Sequence, residues 1–140
     1  MGGSEVIVES AGTGGPEGAA PKPIATVLLV EDNMLIALDT EDALLEAGVK
    51  RVIIAASTDA ALAEISKAHP DFAVLDFNLG SETSERVAAA LASAGIAFCY
   101  ATGYGDAIVA QATQAPCGVL KKPYSQTDIA AILACAAASR

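Results

Sequence analysis

From residue 26 onward, apolar runs of strand length alternate with segments whose apolar residues recur at helical spacing. Val27-Leu28-Leu29-Val30 is continuous and β-branched at both ends, the composition of a strand covered on both faces. The spacing after it predicts a helix over 34–47, with Ile36, Ala43, Leu44 and Ala47 on the inner face and Gly48 as its stop. Residues 52–55 predict a second strand. Ser57 or Thr58 caps a helix running to about Ala68, closed by His69-Pro70. A third strand is expected over 72–75, a helix over 85–94 ending at Gly95, and a fourth strand over 96–101. A weaker helix follows over 106–112, then a short fifth strand over 118–121. The last helix starts near Ser125, three residues before Asp128, and runs to about Ala137.

Five strand–helix units in strict alternation imply a doubly wound α/β domain, with a five-stranded parallel sheet and right-handed crossovers. Residues 1–25 stand apart. Their Gly, Ala and Pro content, densest over 10–23, offers too little apolar surface to offset chain entropy, so a disordered tail or linker is expected there and the domain is expected to span 26–140.

Composition narrows the picture. A chain of 140 residues has room for one domain, and 53% hydrophobic content that includes 31 alanines supports one compact core. The net charge of -9, from 17 acids against 8 bases, argues against binding to nucleic acid or to anionic lipid. No apolar run approaches a membrane span, and the N-terminus lacks the basic and apolar segments of a signal peptide. Cys99, Cys117 and Cys135 show neither metal-ligand spacing nor a disulfide framework, and read as small core or helix residues. A cytoplasmic location is the expectation. His69 is the only histidine, which leaves no His-based triad or His-rich metal site.

In open parallel sheets, ligands bind beyond the carboxyl ends of the strands. Glu31 and Asp32 follow the first strand, and Asp76, Phe77 and Asn78 the third. Thr102 with Gly103 and Gly105 follows the fourth, and Lys122-Pro123 the fifth. Three carboxylates on one rim repel unless a cation sits among them, and oxygen ligands in a compact, open site favour Mg²⁺. A carboxylate beside a metal can attack phosphorus to form an aspartyl phosphate, while a lysine and a hydroxyl neutralise or bond the phosphoryl oxygens. Taken singly, each of these residues has an ordinary structural reading: acids at a helix start, a turn aspartate, a strand exit, a surface lysine. Four such coincidences, at the exits of the first, third, fourth and fifth strands, outweigh those readings.

The segments VLLVEDN (27–33), VLDFNLG (74–80), YATGYG (100–105) and LKKPY (120–124), in this order, resemble the receiver domain of two-component response regulators. The resemblance covers about residues 26–137 and implies a flavodoxin-like (βα)5 fold. Carried over by position, it makes Asp76 the phosphoacceptor. Asp32 would bind Mg²⁺ directly and Glu31 through water, and the Asn78 carbonyl would be a further ligand. Thr102 would be the switch hydroxyl, Lys122 the phosphate contact, and the peptide before Pro123 would be cis. Lys121 is the competing lysine, and strand alternation turns it to the other face. Val119 stands where most receivers carry an aromatic residue. YATGYG is similar to the signature of the FAT GUY receivers, with Tyr100 in the Phe position, which makes Tyr104 a candidate signalling aromatic.

The resemblance implies a non-enzymatic phosphoacceptor. It would be charged by a sensor histidine kinase or histidine phosphotransfer protein and would signal through an unidentified protein partner, serve as a phosphate sink, or act in a phosphorelay. An unphosphorylated docking module is a further reading, against which the complete acidic set and Lys122 argue, and two rivals stand beside it. One is the C-terminal receiver of a hybrid histidine kinase. The other is an aspartyl-phosphate phosphatase or phosphotransferase, although such enzymes usually carry the nucleophile after the first strand, with a second Asp two residues on.

Overall fold

The computed structural model describes residues 23–79, 82–103 and 117–138. Five strands form the main sheet: β1 (Thr26–Val30), β2 (Arg51–Ala55), β3 (Phe72–Asp76), β6 (Ala97–Thr102) and β7 (Gly118–Lys121). All its pairings are parallel, in the order β2-β1-β3-β6-β7. The described helices are α1 (Met34–Glu46), α2 (Thr58–Ala68), α3 (Glu85–Ser93) and α4 (Gln126–Ala138). This is the doubly wound α/β architecture that the alternation predicts, with the flavodoxin-like arrangement that the receiver resemblance implies. The helix expected over 106–112 lies outside the described residues.

Successive side chains of a strand point to opposite faces, and the two faces here carry separate apolar layers. Val27, Leu29, Phe72, Val74, Cys99 and Leu120 pack with Ala37 and Leu44 of α1 and Ile129, Ile132 and Leu133 of α4. Leu28, Val30, Ala73, Leu75, Phe98 and Tyr100 pack with Ala61 and Ile65 of α2 and Val87 and Leu91 of α3. The central strands are covered on both sides, which is why they read as unbroken apolar runs.

Local signals account for most helix ends. The Asn33 side chain accepts hydrogen bonds from the amides of Leu35 and Ile36 at the start of α1. Ser57 accepts from the Ala60 amide. Ser125 and Asp128 cap α4 reciprocally, each side chain accepting from the other's amide at 3.1 and 2.9 Å. Gly48, with φ of 110°, takes the left-handed conformation after α1 that a side chain would oppose.

Three sequence expectations need correction. The inner face of α1 is Ala37, Thr40 and Leu44, while Ile36 is only half-buried and Ala47 is exposed. With apolar residues at 34–38 all round the first turn, periodicity does not choose the rotation. A polar residue takes the decisive position, because the Thr40 hydroxyl meets the Tyr124 hydroxyl inside the fold. The second correction is at the N-terminal boundary. Ile24, assigned to the tail, is buried, and Asp71 accepts hydrogen bonds from the amides of Ala25 and Thr26 at 3.0 and 2.9 Å. The third is a two-residue antiparallel hairpin that the apolar pattern did not announce, β4 (Asn78–Leu79) with β5 (Glu82–Thr83), between β3 and α3.

Candidate functional site

The carboxyl ends of β1 and β3 lie side by side, because Val30 pairs in register with Leu75. Glu31 and Asp32 therefore leave β1 beside Asp76, the last residue of β3. One carboxylate oxygen from each of the three lies within 4.8 Å of the others. Glu31 and Asp76 are buried and Asp32 is exposed, so the cluster opens to solvent on one side.

Lys122 reaches the cluster from the end of β7. Its Nζ lies 3.2 Å from Glu31 Oε1 and 3.4 Å from Asp76 Oδ1. Alternation explains why Lys122 makes this contact. Residues 27 and 29, 72 and 74, and 120 all face the α1–α4 layer, and 31, 76 and 122 continue the same parity. Lys121 has the opposite parity and is exposed. The loop carrying Lys122 is tied to α1 by the Tyr124–Thr40 hydroxyl contact, and the first residue of α4 by the Gln126 side-chain amide, which donates to the Ala43 carbonyl at 2.9 Å. The Lys122–Pro123 peptide is cis.

Electrostatics reflect the crowding. Burial, followed by the contact with Asp76, pushes the Glu31 carboxyl up from an ordinary 4.5 to about 7; the Asn33 amide, donating to Glu31 Oε2 at 3.2 Å, and Lys122 pull the other way. Burial lowers the Lys122 ammonium pKa, but Asp76 and then Glu31 outweigh it and leave it above its usual value. A carboxyl whose pKa is raised by burial and by one neighbouring acid is what a multivalent cation relieves. All-oxygen donors with an open side suit a hard divalent ion, so the residues present fit a metal of that class.

Thr102, at the end of β6, is buried, and its carbonyl accepts from the Lys122 amide at 2.9 Å. The β3–β6 register pairs Asp76 with Ala101, one residue before it. Asn78 is exposed and opens the small hairpin. Ser84 closes that segment, its amide donating to the Phe77 carbonyl at 3.0 Å. Tyr104 lies outside the described residues.

The sequence reading missed two features. One is the Thr40–Tyr124 tie, which joins residues far apart in the chain and carries no local signal. The other is the contact of Cys117 with Cys135, whose Sγ atoms are 3.2 Å apart. The only advance sign of it was that one cysteine precedes the last strand and the other lies in the helix packed on that strand.

Solved receiver domains share this architecture. The signal receiver domain of a modulated diguanylate cyclase from Desulfovibrio desulfuricans G20 is 25% identical, with a TM-score of 0.72 over 83% of this chain and 95% of that one. The signal receiver domain of NarL from Mycobacterium tuberculosis is 29% identical, with a TM-score of 0.68 over 82% and 98%. A response regulator from Burkholderia pseudomallei, solved with a phosphorylated aspartic acid, a calcium ion and citrate, is 26% identical, with a TM-score of 0.70 over 78% and 66%. No family model and no curated protein matches the chain. The chain thus resembles response regulator receiver domains in fold, and no described helix is long and apolar enough to cross a membrane.

Proposed function

We propose that this receiver-like chain is a phosphoacceptor of two-component signalling, in which Asp76 takes a phosphoryl group from the phosphohistidine of a sensor kinase or phosphotransfer protein. The observation that carries the reading is the convergence of Glu31, Asp32, Asp76 and Lys122 at the carboxyl edge of the sheet. A nucleophilic carboxylate, a cation site and a fixed ammonium are the parts phosphoryl transfer requires, since most of its catalysis is positioning and charge neutralisation.

Glu31, Asp32, Asp76 and the Asn78 backbone carbonyl would hold Mg²⁺, which supplies neutralisation of the phosphoryl oxygens when bound. Asp76 attacks phosphorus in line, forming the acyl phosphate as the phosphorus–nitrogen bond of the donor breaks and the imidazole takes a proton. Lys122 shifts from its carboxylate partners toward the added phosphoryl oxygens. Thr102, buried at the end of β6, donates its hydroxyl to another of them. The new group carries about -1.5 to -2 charges, enough to reorganise neighbouring hydrogen bonds. Water later hydrolyses the acyl phosphate, so the chain promotes only its own charging and discharge.

The B. pseudomallei regulator, with its phosphorylated aspartate and calcium ion, supports the same chemistry on this fold. We further propose membership of the FAT GUY receivers, a cytoplasmic location, a tail over the first residues and output through a protein partner, with Tyr104 as a signalling aromatic. Incubation with candidate phosphorylated kinases and phosphotransfer proteins tests the core reading. Label should pass to the wild type and not to Asp76→Asn; equal labelling of both would move the acceptor elsewhere.

A further inference from the structure

The Cys117–Cys135 contact is built by packing at the other end of β7 from Lys122. Gly118, the first residue of β7, has no side chain under α4; a Cβ there would come within 2.5 Å of Ile132 Cδ1. The missing side chain lets the helix lie close to the strand. Strand and helix run in opposite directions at this contact. One residue back along the strand is Cys117, and three residues on along the helix, on the same face, is Cys135. The Gly118–Ile132 contact thus brings the two sulfurs to 3.2 Å.

We propose that Cys117 and Cys135 form a reversible intramolecular disulfide, driven by a low-molecular-weight disulfide such as oxidised glutathione, that fastens α4 to the start of β7. Closing the bond requires a further approach of about 1.2 Å, because a disulfide is near 2.05 Å long. Cys135 is exposed and Cys117 half-buried, so an external disulfide reaches Cys135 first. Burial, and then the contact with Cys135, pushes the Cys117 thiol up to about 11, which makes it the second partner to react. Cys99, fully buried in the layer beneath, has its thiol raised by the same desolvation and is sealed from the reagent.

The exchange balances in two steps. The Cys135 thiolate attacks one sulfur of oxidised glutathione, forming a mixed disulfide and expelling one glutathione thiolate. The Cys117 thiolate then attacks the Cys135 sulfur, forming the internal bond and expelling the second. The two cysteines give up two electrons to the external disulfide, and their two protons leave with the released glutathiones. The product pins the C-terminal half of α4 at the end of β7 remote from the phosphoacceptor edge of the sheet. The inference stands on this packing alone and is independent of the phosphoacceptor reading.

The test equilibrates the full chain in buffers of graded reduced and oxidised glutathione, alkylates residual thiols and maps peptides without reduction. A Cys117–Cys135 crosslink within the monomer is expected, with Cys99 alkylated only after unfolding, full reversal by dithiothreitol, and a Tm higher by roughly 10 °C in the oxidised form. Cys135→Ser, at an exposed position, should fold normally and lose both the crosslink and the Tm rise. Alkylation of both thiols in oxidised glutathione alone, a stable glutathione adduct on Cys135, an intermolecular dimer, or a Cys99–Cys117 link would each overturn the proposal.

Discussion

The ammonium of Lys122 lies 3.4 Å from Asp76 Oδ1 and is held there by the end of β7, one strand beyond β6. Its companion contact with Glu31, at 3.2 Å, makes one cation serve two buried carboxylates. Removing that cation leaves both acids facing each other. Lys122→Ala should therefore lower metal-free stability by about 1–3 kcal/mol, as loss of one partner of a largely buried pair does. Lys121→Ala, at an exposed position of opposite parity, should stay within about 0.5 kcal/mol. Urea unfolding of the two variants side by side checks the contrast.

Mg²⁺ should stabilise the fold, because it binds the native acidic cluster and not the dispersed carboxylates of the unfolded chain. The gain is about 2.7 kcal/mol at 100 times Kd. Asp32 is exposed and contributes little to packing, so Asp32→Ala should keep the metal-free Tm and lose most of the Mg²⁺-dependent rise. Thermal melts with and without a chelator measure both.

The folded-state pKa of Glu31 lies near 7, above its ordinary 4.5, so the native state holds an extra proton between these values. The stability this proton contributes is complete below about 4.5 and is lost as the pH rises through about 7. This contribution to metal-free stability should therefore fall between about pH 4.5 and 7. Glu31→Gln should flatten that part of the profile, and so should Mg²⁺, which favours the charged carboxylate. Denaturant titrations across this range with a chelator present give the comparison.

Tyr100 is wholly buried, with Phe77 and Phe98 edge-on to its ring at centroid distances of 5.0 and 5.5 Å. Among the described residues its hydroxyl has no hydrogen-bond partner. An unsatisfied buried hydroxyl costs free energy, so Tyr100→Phe should be neutral or stabilising by up to about 1 kcal/mol. Tyr100→Ala, which empties the ring's space, should cost about 3–5 kcal/mol. Equilibrium unfolding of both variants reads the difference.

The central strands were legible because burial on both faces makes them unbroken apolar runs, and the strand exits were legible because a parallel sheet delivers all its carboxyl ends to one edge. Glu31, Asp32, Asp76 and Lys122 followed from that geometry and from their chemical types. The choice of Lys122 over Lys121 rested on its place before Pro123 in the receiver resemblance and on strand alternation, and it is Lys122 that lies beside Glu31 and Asp76. What stayed hidden depends on tertiary partners. The rotation of α1 turns on Thr40 meeting Tyr124, the hairpin at 78–83 is too short for a periodic signal, and the Cys117–Cys135 contact depends on the close approach of α4 to Gly118.

The central claim is that the Asp76 side chain receives phosphorus, and the direct measurement is to locate the modified residue. The protein is incubated with a small-molecule phosphoryl donor and Mg²⁺, then treated with borohydride, which reduces an acyl phosphate to the alcohol, and its peptides are sequenced by mass spectrometry. The account predicts homoserine at position 76, dependent on the donor and suppressed by a chelator. Homoserine at another aspartate, or an unmodified Asp76 under conditions that charge a control receiver, would contradict it.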